Sequence, residues 1–111
     1  MSFAPEQGDI IILDFNPQAG HEQSGRRPAL VVSSSSFHQY TNLAIVCPIT
    51  STLHGFPLHV SLNERTETIG AVMCEQVKSM DLKARNIVFK EKVPSDLLQA
   101  VLERIALFFV E

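Results

Sequence analysis

The chain has 111 residues, with nine Lys and Arg against twelve Asp and Glu, for a net charge of −3. That is the length of one domain, and 45% apolar residues suffice for a core, which excludes wholesale disorder. Cys47 and Cys74 form no Cys-x-x-Cys pair, which argues against a disulfide framework and a zinc knuckle. The apolar run at residues 105–110 is far too short to span a bilayer. Met1-Ser2-Phe3-Ala4-Pro5-Glu6 offers neither a basic start nor an apolar stretch, so a signal peptide is not expected. The expectation is a soluble, cytoplasmic, single domain over residues 1–111.

The first predicted strand covers residues 9–15, where Ile10, Ile11, Ile12 and Leu13 make a largely β-branched run. Asn16-Pro17-Gln18-Ala19-Gly20 reads as a turn. Residues 22–27 carry no apolar side chain and read as an exposed loop. Pro28 should mark the start or an edge of a second strand, Ala29-Leu30-Val31-Val32. Residues 33–42, opening on four serines, read as loop. A third strand is predicted over 43–49, interrupted late by Pro48, with Thr50-Ser51-Thr52 as a polar corner. Leu58-His59-Val60-Ser61-Leu62 alternates apolar and polar, as a half-buried strand does. After a polar turn at 63–68, residues 70–78 read as a further strand, and Val88-Phe89 starts or extends another.

The period changes after Pro94. Leu97, Leu98, Val101, Leu102, Ile105, Phe108 and Phe109 recur at three- and four-residue spacing, predicting an amphipathic helix of about four turns. Ser95 or Asp96 can cap it, and Phe108 and Phe109 are expected as core or dimer contacts. Five or more strands and one terminal helix argue for an α+β fold built on a small, curved, mostly antiparallel sheet or barrel.

Charge is unevenly distributed. Lys78, Lys83, Arg85, Lys90 and Lys92 face only Asp81 and Glu91 over that stretch, and Arg26-Arg27 form a second basic pair. This is either a local basic patch on an acidic body or a solvated face. Glu22, Arg26 and Arg27 share one loop, and Thr50 and Ser51 end a different strand. If the two strand ends are neighbours, a carboxylate, a guanidinium and a hydroxyl meet. Such a set can cleave RNA without a metal, because the ribose 2′-OH already adjoins the phosphate: a base removes its proton and fixed donors stabilise the phosphorane. From spacing alone, a loop salt bridge with an ordinary turn threonine fits equally. His54 and His59 show no metal spacing with a third ligand and read as surface or satisfied histidines, and Phe56 next to Pro57 either packs or stacks on a base.

Three blocks carry a resemblance. Gly8-Asp9-Ile10-Ile11, Asp14-Phe15-Asn16-Pro17 and Gly20-His21-Glu22-Gln23-Ser24-Gly25-Arg26-Arg27-Pro28 form the first; Val46-Cys47-Pro48-Ile49-Thr50-Ser51 the second; Cys74-Glu75-Gln76-Val77-Lys78-Ser79-Met80-Asp81 with Lys83-Ala84-Arg85 the third. Together they resemble the MazF/PemK (Kid-like) toxins. The resemblance implies a sequence-selective endoribonuclease that cuts single-stranded RNA without metal or cofactor. The products would carry a 2′,3′-cyclic phosphate and a 5′-hydroxyl. It also implies an SH3-like or CcdB-like antiparallel barrel with a C-terminal helix, a homodimer, and a cognate antitoxin with a flexible acidic segment. Carried over by motif, Glu22 matches the general base, Arg27 the phosphate-stabilising arginine and Thr50 the strand-end threonine. His21, Arg26, Glu75, Gln76 and Lys78 are then RNA contacts. A second arrangement assigned to Kid-like members uses the histidine at His21 and the acid at Glu75, with an arginine two positions earlier; here that position is Met73, which weakens it. The competing class is a CcdB-like toxin that binds gyrase and cuts no RNA.

Overall fold

The computed structural model describes residues 4–15, 25–53 and 55–111. Among these residues seven strands and two α-helices follow one another as β1 (Asp9–Asp14), β2 (Arg26–Val31), α1 (Ser35–Thr41), β3 (Ala44–Thr50), β4 (His59–Ser61), β5 (Ala71–Met73), β6 (Lys78–Met80), β7 (Val88–Lys92) and α2 (Ser95–Leu107). Every strand pair is antiparallel. The order is β4-β5-β3-β2-β1-β7, with β6 pairing β3 beyond β5. Among the described residues β4 and β7 are not paired, so this path does not close on itself. The α+β class and the antiparallel sheet are as expected.

β1 reads as an unbroken apolar run because both its faces are covered, as buried strands require. Ile10 joins Leu30, Cys47, Ile49, Val72 and Cys74 under Leu97 and Val101 of α2. Ile11 and Leu13 join Phe15, Ala29, Val31, Val46 and Met80 on the other face. Each fully buried Ile or Leu of β1 contributes about 1.5–3 kcal/mol. Pro28 and Pro48 lie inside β2 and β3 rather than at their ends.

Three expectations change. First, residues 35–41 are helical, not loop: Ser34 Oγ accepts the Phe37 N–H at 3.3 Å, and Asn42 ends the helix in the left-handed conformation at φ 59°. α1 buries none of its residues, so no apolar period announces it. It is tied down instead by His38, whose ring nitrogens lie 2.6 Å from Ser33 Oγ and 3.0 Å from the Pro5 carbonyl. Second, the strand expected over 70–78 is broken by a turn of 3-10 helix at Cys74–Gln76, which separates β5 from β6. Third, α2 has Pro94 at its N-cap with no side-chain cap. Asp96 is engaged elsewhere, in a forked pair with the Arg65 guanidinium at 2.9 and 2.8 Å, and those hydrogen bonds hold its carboxyl below the ordinary range. Phe109, past the helix end, is 80% exposed and does not belong to this chain's core.

The basic run of the sequence does not form one patch. Lys92 is spent on the buried Asp9 carboxylate at 2.8 Å and on Glu6 at 3.3 Å. Arg85 donates to the Asp14 carbonyl at 3.3 Å and fastens its loop to β1.

Candidate active site at the end of strand β3

Thr50 is the last residue of β3, and its side chain is buried. Its Oγ1 accepts the Thr52 N–H at 3.1 Å, which fixes the polar corner that follows. Ala71 lies across from it on β5. Gly70, at φ +133°, lets the chain cross close beneath: a Cβ there would stand 2.0 Å from the Thr50 carbonyl oxygen.

Beside Thr50 opens a hollow of about 620 Å³ walled by Phe56, His59, Met73, Glu75 and Gln76. The 3-10 turn builds one side of it, carrying Glu75 and Gln76 out of the strand line. His59 stands across from Met73 in the β4–β5 ladder. Its Nε2 lies 3.1 Å from Glu75 Oε2, and its side chain is 8% exposed against 29% for Glu75. A carboxylate only accepts, so His59 Nε2 is the donor. The Phe56 ring meets the imidazole edge-on, with centroids 5.1 Å apart. Gln76 Nε2 donates to the Met73 sulfur at 3.8 Å.

Arg27 reaches the same region from β2. The β2–β3 register runs Val31↔Val46, Leu30↔Cys47, Ala29↔Pro48; by the alternation of each strand Arg27 falls on the face of Ala29 and Thr50 on that of Pro48, the same face. Residues opposed in an antiparallel ladder share a face, so the guanidinium and the hydroxyl stand on one side of the sheet. Lys78, across from Val46, is on that side as well, four residues along β3. Arg26 faces the other way, as the neighbour of Arg27 on a strand must. It pairs with Asp14 at 3.4 Å, in a separate hollow of about 360 Å³ with Asn86 and Val88.

The structure thus brings Arg27, Thr50, Glu75, Gln76 and Lys78 to one face and removes Arg26 from it. Glu22 and His21, together with His54, lie outside the described residues. His59, expected only as a surface or satisfied histidine, is a wall residue of the hollow. The alternation of residues 58–62 puts His59 and Ser61 on the polar side, but does not say which strand that side meets. Among the described residues no three His, Cys, Asp or Glu side chains converge as a metal site would require, and no helix is long and apolar enough to cross a membrane. Both thiols are buried away from this face; burial pushes Cys74 up to about 11, and Cys47 further.

Comparison with known proteins places the chain in a family. A family model described as PemK-like, MazF-like toxin of type II toxin-antitoxin system matches residues 6–109. Endoribonuclease PemK of Escherichia coli is 36% identical over 106 residues, covering 91% of this chain and 79% of that protein. The crystal structure of MazF (Form-I) from Deinococcus radiodurans superposes with a TM-score of 0.91 at 36% identity, over 96% of this chain and 97% of the other. A MazE-MazF crystal structure (Form-II) from the same organism matches with a TM-score of 0.85 at 35% identity, over 99% of this chain and 100% of its counterpart.

Proposed function

This chain belongs to the PemK-like, MazF-like family of type II toxin–antitoxin toxins and is an endoribonuclease of that kind; we propose that it cleaves single-stranded RNA without a metal, at the end of β3. The observation that carries the mechanism is the placement of Arg27 and Thr50 on one face beside an open, partly aromatic hollow. Single-stranded RNA suits such a surface, because unpaired bases can splay out and stack.

In the proposed reaction the ribose 2′-oxygen attacks the adjacent phosphorus. The O2′–P bond forms, the P–O5′ bond breaks, and the products carry a 2′,3′-cyclic phosphate and a 5′-hydroxyl. Glu22 takes the 2′ proton, and a solvent water in the open hollow gives the leaving O5′ its proton. Arg27 supplies a forked pair of N–H donors to the phosphorane oxygens and stays charged at any working pH, so its part is charge stabilisation rather than proton donation. Thr50 holds a phosphate oxygen from a corner already fixed by Thr52. Glu75, Gln76, Lys78 and His21 serve as RNA contacts; Arg26, on the opposite face and paired with Asp14, drops out of the set.

The gyrase-binding alternative explains neither the shared face nor the endoribonuclease relatives. The division of β3 between β5 at its end and β6 at its start supports an open variant of an SH3-like barrel. Partners follow by analogy with the MazE-MazF structure: a cognate antitoxin whose flexible acidic segment covers Lys78 and Arg27, and a second copy of this chain. The site of action on this reading is the cytoplasm.

The test is incubation of purified protein with a long mixed RNA in EDTA, with mapping of the new ends. Discrete cuts leaving 5′-hydroxyl and 2′,3′-cyclic phosphate ends are expected. An intact RNA, or cleavage that survives Arg27→Ala and Glu22→Ala unchanged, would overturn the assignment.

A further inference from the structure

The hollow holds more than the reaction needs. Glu75 makes no contribution to the step written above, yet it is held by a histidine whose side chain is nine-tenths buried. His59 Nδ1 is buried and has no hydrogen-bond partner among the described residues. The ring's polar contact is therefore Glu75, and a second side stands against the edge of Phe56. An imidazole buried for one exposed carboxylate fixes where that carboxylate points.

From this we infer that His59 and Glu75 form a base-reading site, and that it takes a nucleobase bearing an exocyclic amino group while rejecting uracil. The inference rests on the ribonuclease reading of the same hollow. A carboxylate offers about four acceptor positions, and His59 occupies one. The remainder face a hollow in which Phe56, 44% exposed, supplies a surface for a base to stack on. Cytosine N4, adenine N6 and guanine N2 each present an N–H that a carboxylate can accept, and glutamate to cytosine N4 is a known pairing. Uracil presents two carbonyl oxygens flanking a single N–H, so its edge is mostly repelled by an acceptor-only group. His59 is a positioning residue here: it acts through Glu75.

Cytosine and uracil are close in shape and differ at this edge, which makes them the diagnostic pair. Cut sites mapped on the mixed RNA identify the positions flanking the cut, and oligonucleotides carrying C or U at each then give the kcat/KM ratio. The wild type should prefer C over U by about tenfold or more at one position. Glu75→Gln, which can donate as well as accept, should bring that ratio near one, whatever it does to the overall rate. His59→Phe keeps a ring but loses the N–H and should also lower the ratio. His59→Gln can still donate to Glu75 and should restore much of it. A residue that merely filled space would show the reverse order for Phe and Gln. Binding of the same oligonucleotides with a 2′-deoxy sugar at the cut, read by fluorescence anisotropy, should follow the same preference without any cleavage.

Absence of a C-over-U preference at every flanking position, or a preference untouched by Glu75→Gln and His59→Phe, overturns the inference while leaving the ribonuclease reading intact. If RNA is not cut at all, the ribonuclease reading fails; anisotropy with oligo(C) and oligo(U), which needs no cut site, then decides this inference, and equal binding of the two rejects it.

Discussion

Gly70 sets the position of Thr50, and replacing it should be costly twice over. In Gly70→Ala the new Cβ would stand 2.0 Å from the Thr50 carbonyl oxygen, 2.9 Å from its carbon and 3.2 Å from Ser51 Cα. All three are backbone atoms, so no side chain can swing away; β3 and the start of β5 must separate by about 1.5 Å to reach ordinary contact. The φ of +133° adds a backbone cost of about 1–3 kcal/mol for any residue with a Cβ, and the displacement adds about 1–3 kcal/mol more. At about 4 °C per kcal/mol for a chain this long, the melting midpoint should fall by roughly 8–24 °C. A shift of about 1 Å at a reacting group can also cost up to about 10²-fold in rate. Cleavage by the fraction that is still folded, measured well below the midpoint, should therefore drop further than stability explains. Gly55→Ala is the control: φ is +64° but nothing lies within 4 Å of the added atom, so only about 1–2 kcal/mol of backbone strain is expected. Circular dichroism melts and RNA cleavage on both variants test this. A Gly70→Ala protein with an unchanged midpoint and full activity would refute the close crossing as the device that places Thr50.

Arg27→Lys keeps the charge but loses the forked donor, and a fall of about 10²-fold in kcat with a small change in KM is expected from single-turnover cleavage. Glu91 is pushed up by desolvation, yet hydrogen bonds from the Thr68 hydroxyl and the Glu67 and Thr68 N–H groups outweigh this and hold it below its ordinary value of 4.5. A lowered folded value means stability that is present above the unfolded pKa and lost as pH falls through the folded one. Urea midpoints should thus fall on acidification from about pH 5 downward, and Glu91→Gln should flatten that slope. Cys47 and Cys74 are fully buried with raised pKa values, so an aromatic disulfide reagent near pH 8 should titrate neither until denaturant is added.

What could be read from the sequence followed from how many neighbours each pattern needs. The run Ile10–Leu13 and the heptad-like spacing from Leu97 to Ile105 announce a buried strand and a covering helix without reference to anything else. α1 could not be read that way: its order comes from Ser34, Asn42 and the His38 ties, not from an apolar stripe. Thr50 and Arg27 were visible as a strand end and a basic pair, but their common face depends on the β2–β3 register, which two separate segments set together. The same holds for His59, whose partner lies sixteen residues away. Arg26 and Arg27 look equivalent in sequence, and only strand parity divides them. Lys92 reads in sequence as part of a basic run, but the buried Asp9 that it pairs with lies 83 positions earlier by their numbering.

Whether the guanidinium and the hydroxyl work on one phosphate is best decided by a double-mutant cycle. The kcat/KM of Arg27→Ala, Thr50→Val and the combined variant would be measured on a single RNA oligonucleotide in EDTA, with melts to confirm folding. Groups that act as a unit give strongly non-additive losses. Each single change is expected to cost about 10²–10³-fold, and the pair little more than the worse of the two. Losses that multiply independently, or a Thr50→Val enzyme as fast as the wild type, would contradict a shared site at the end of β3.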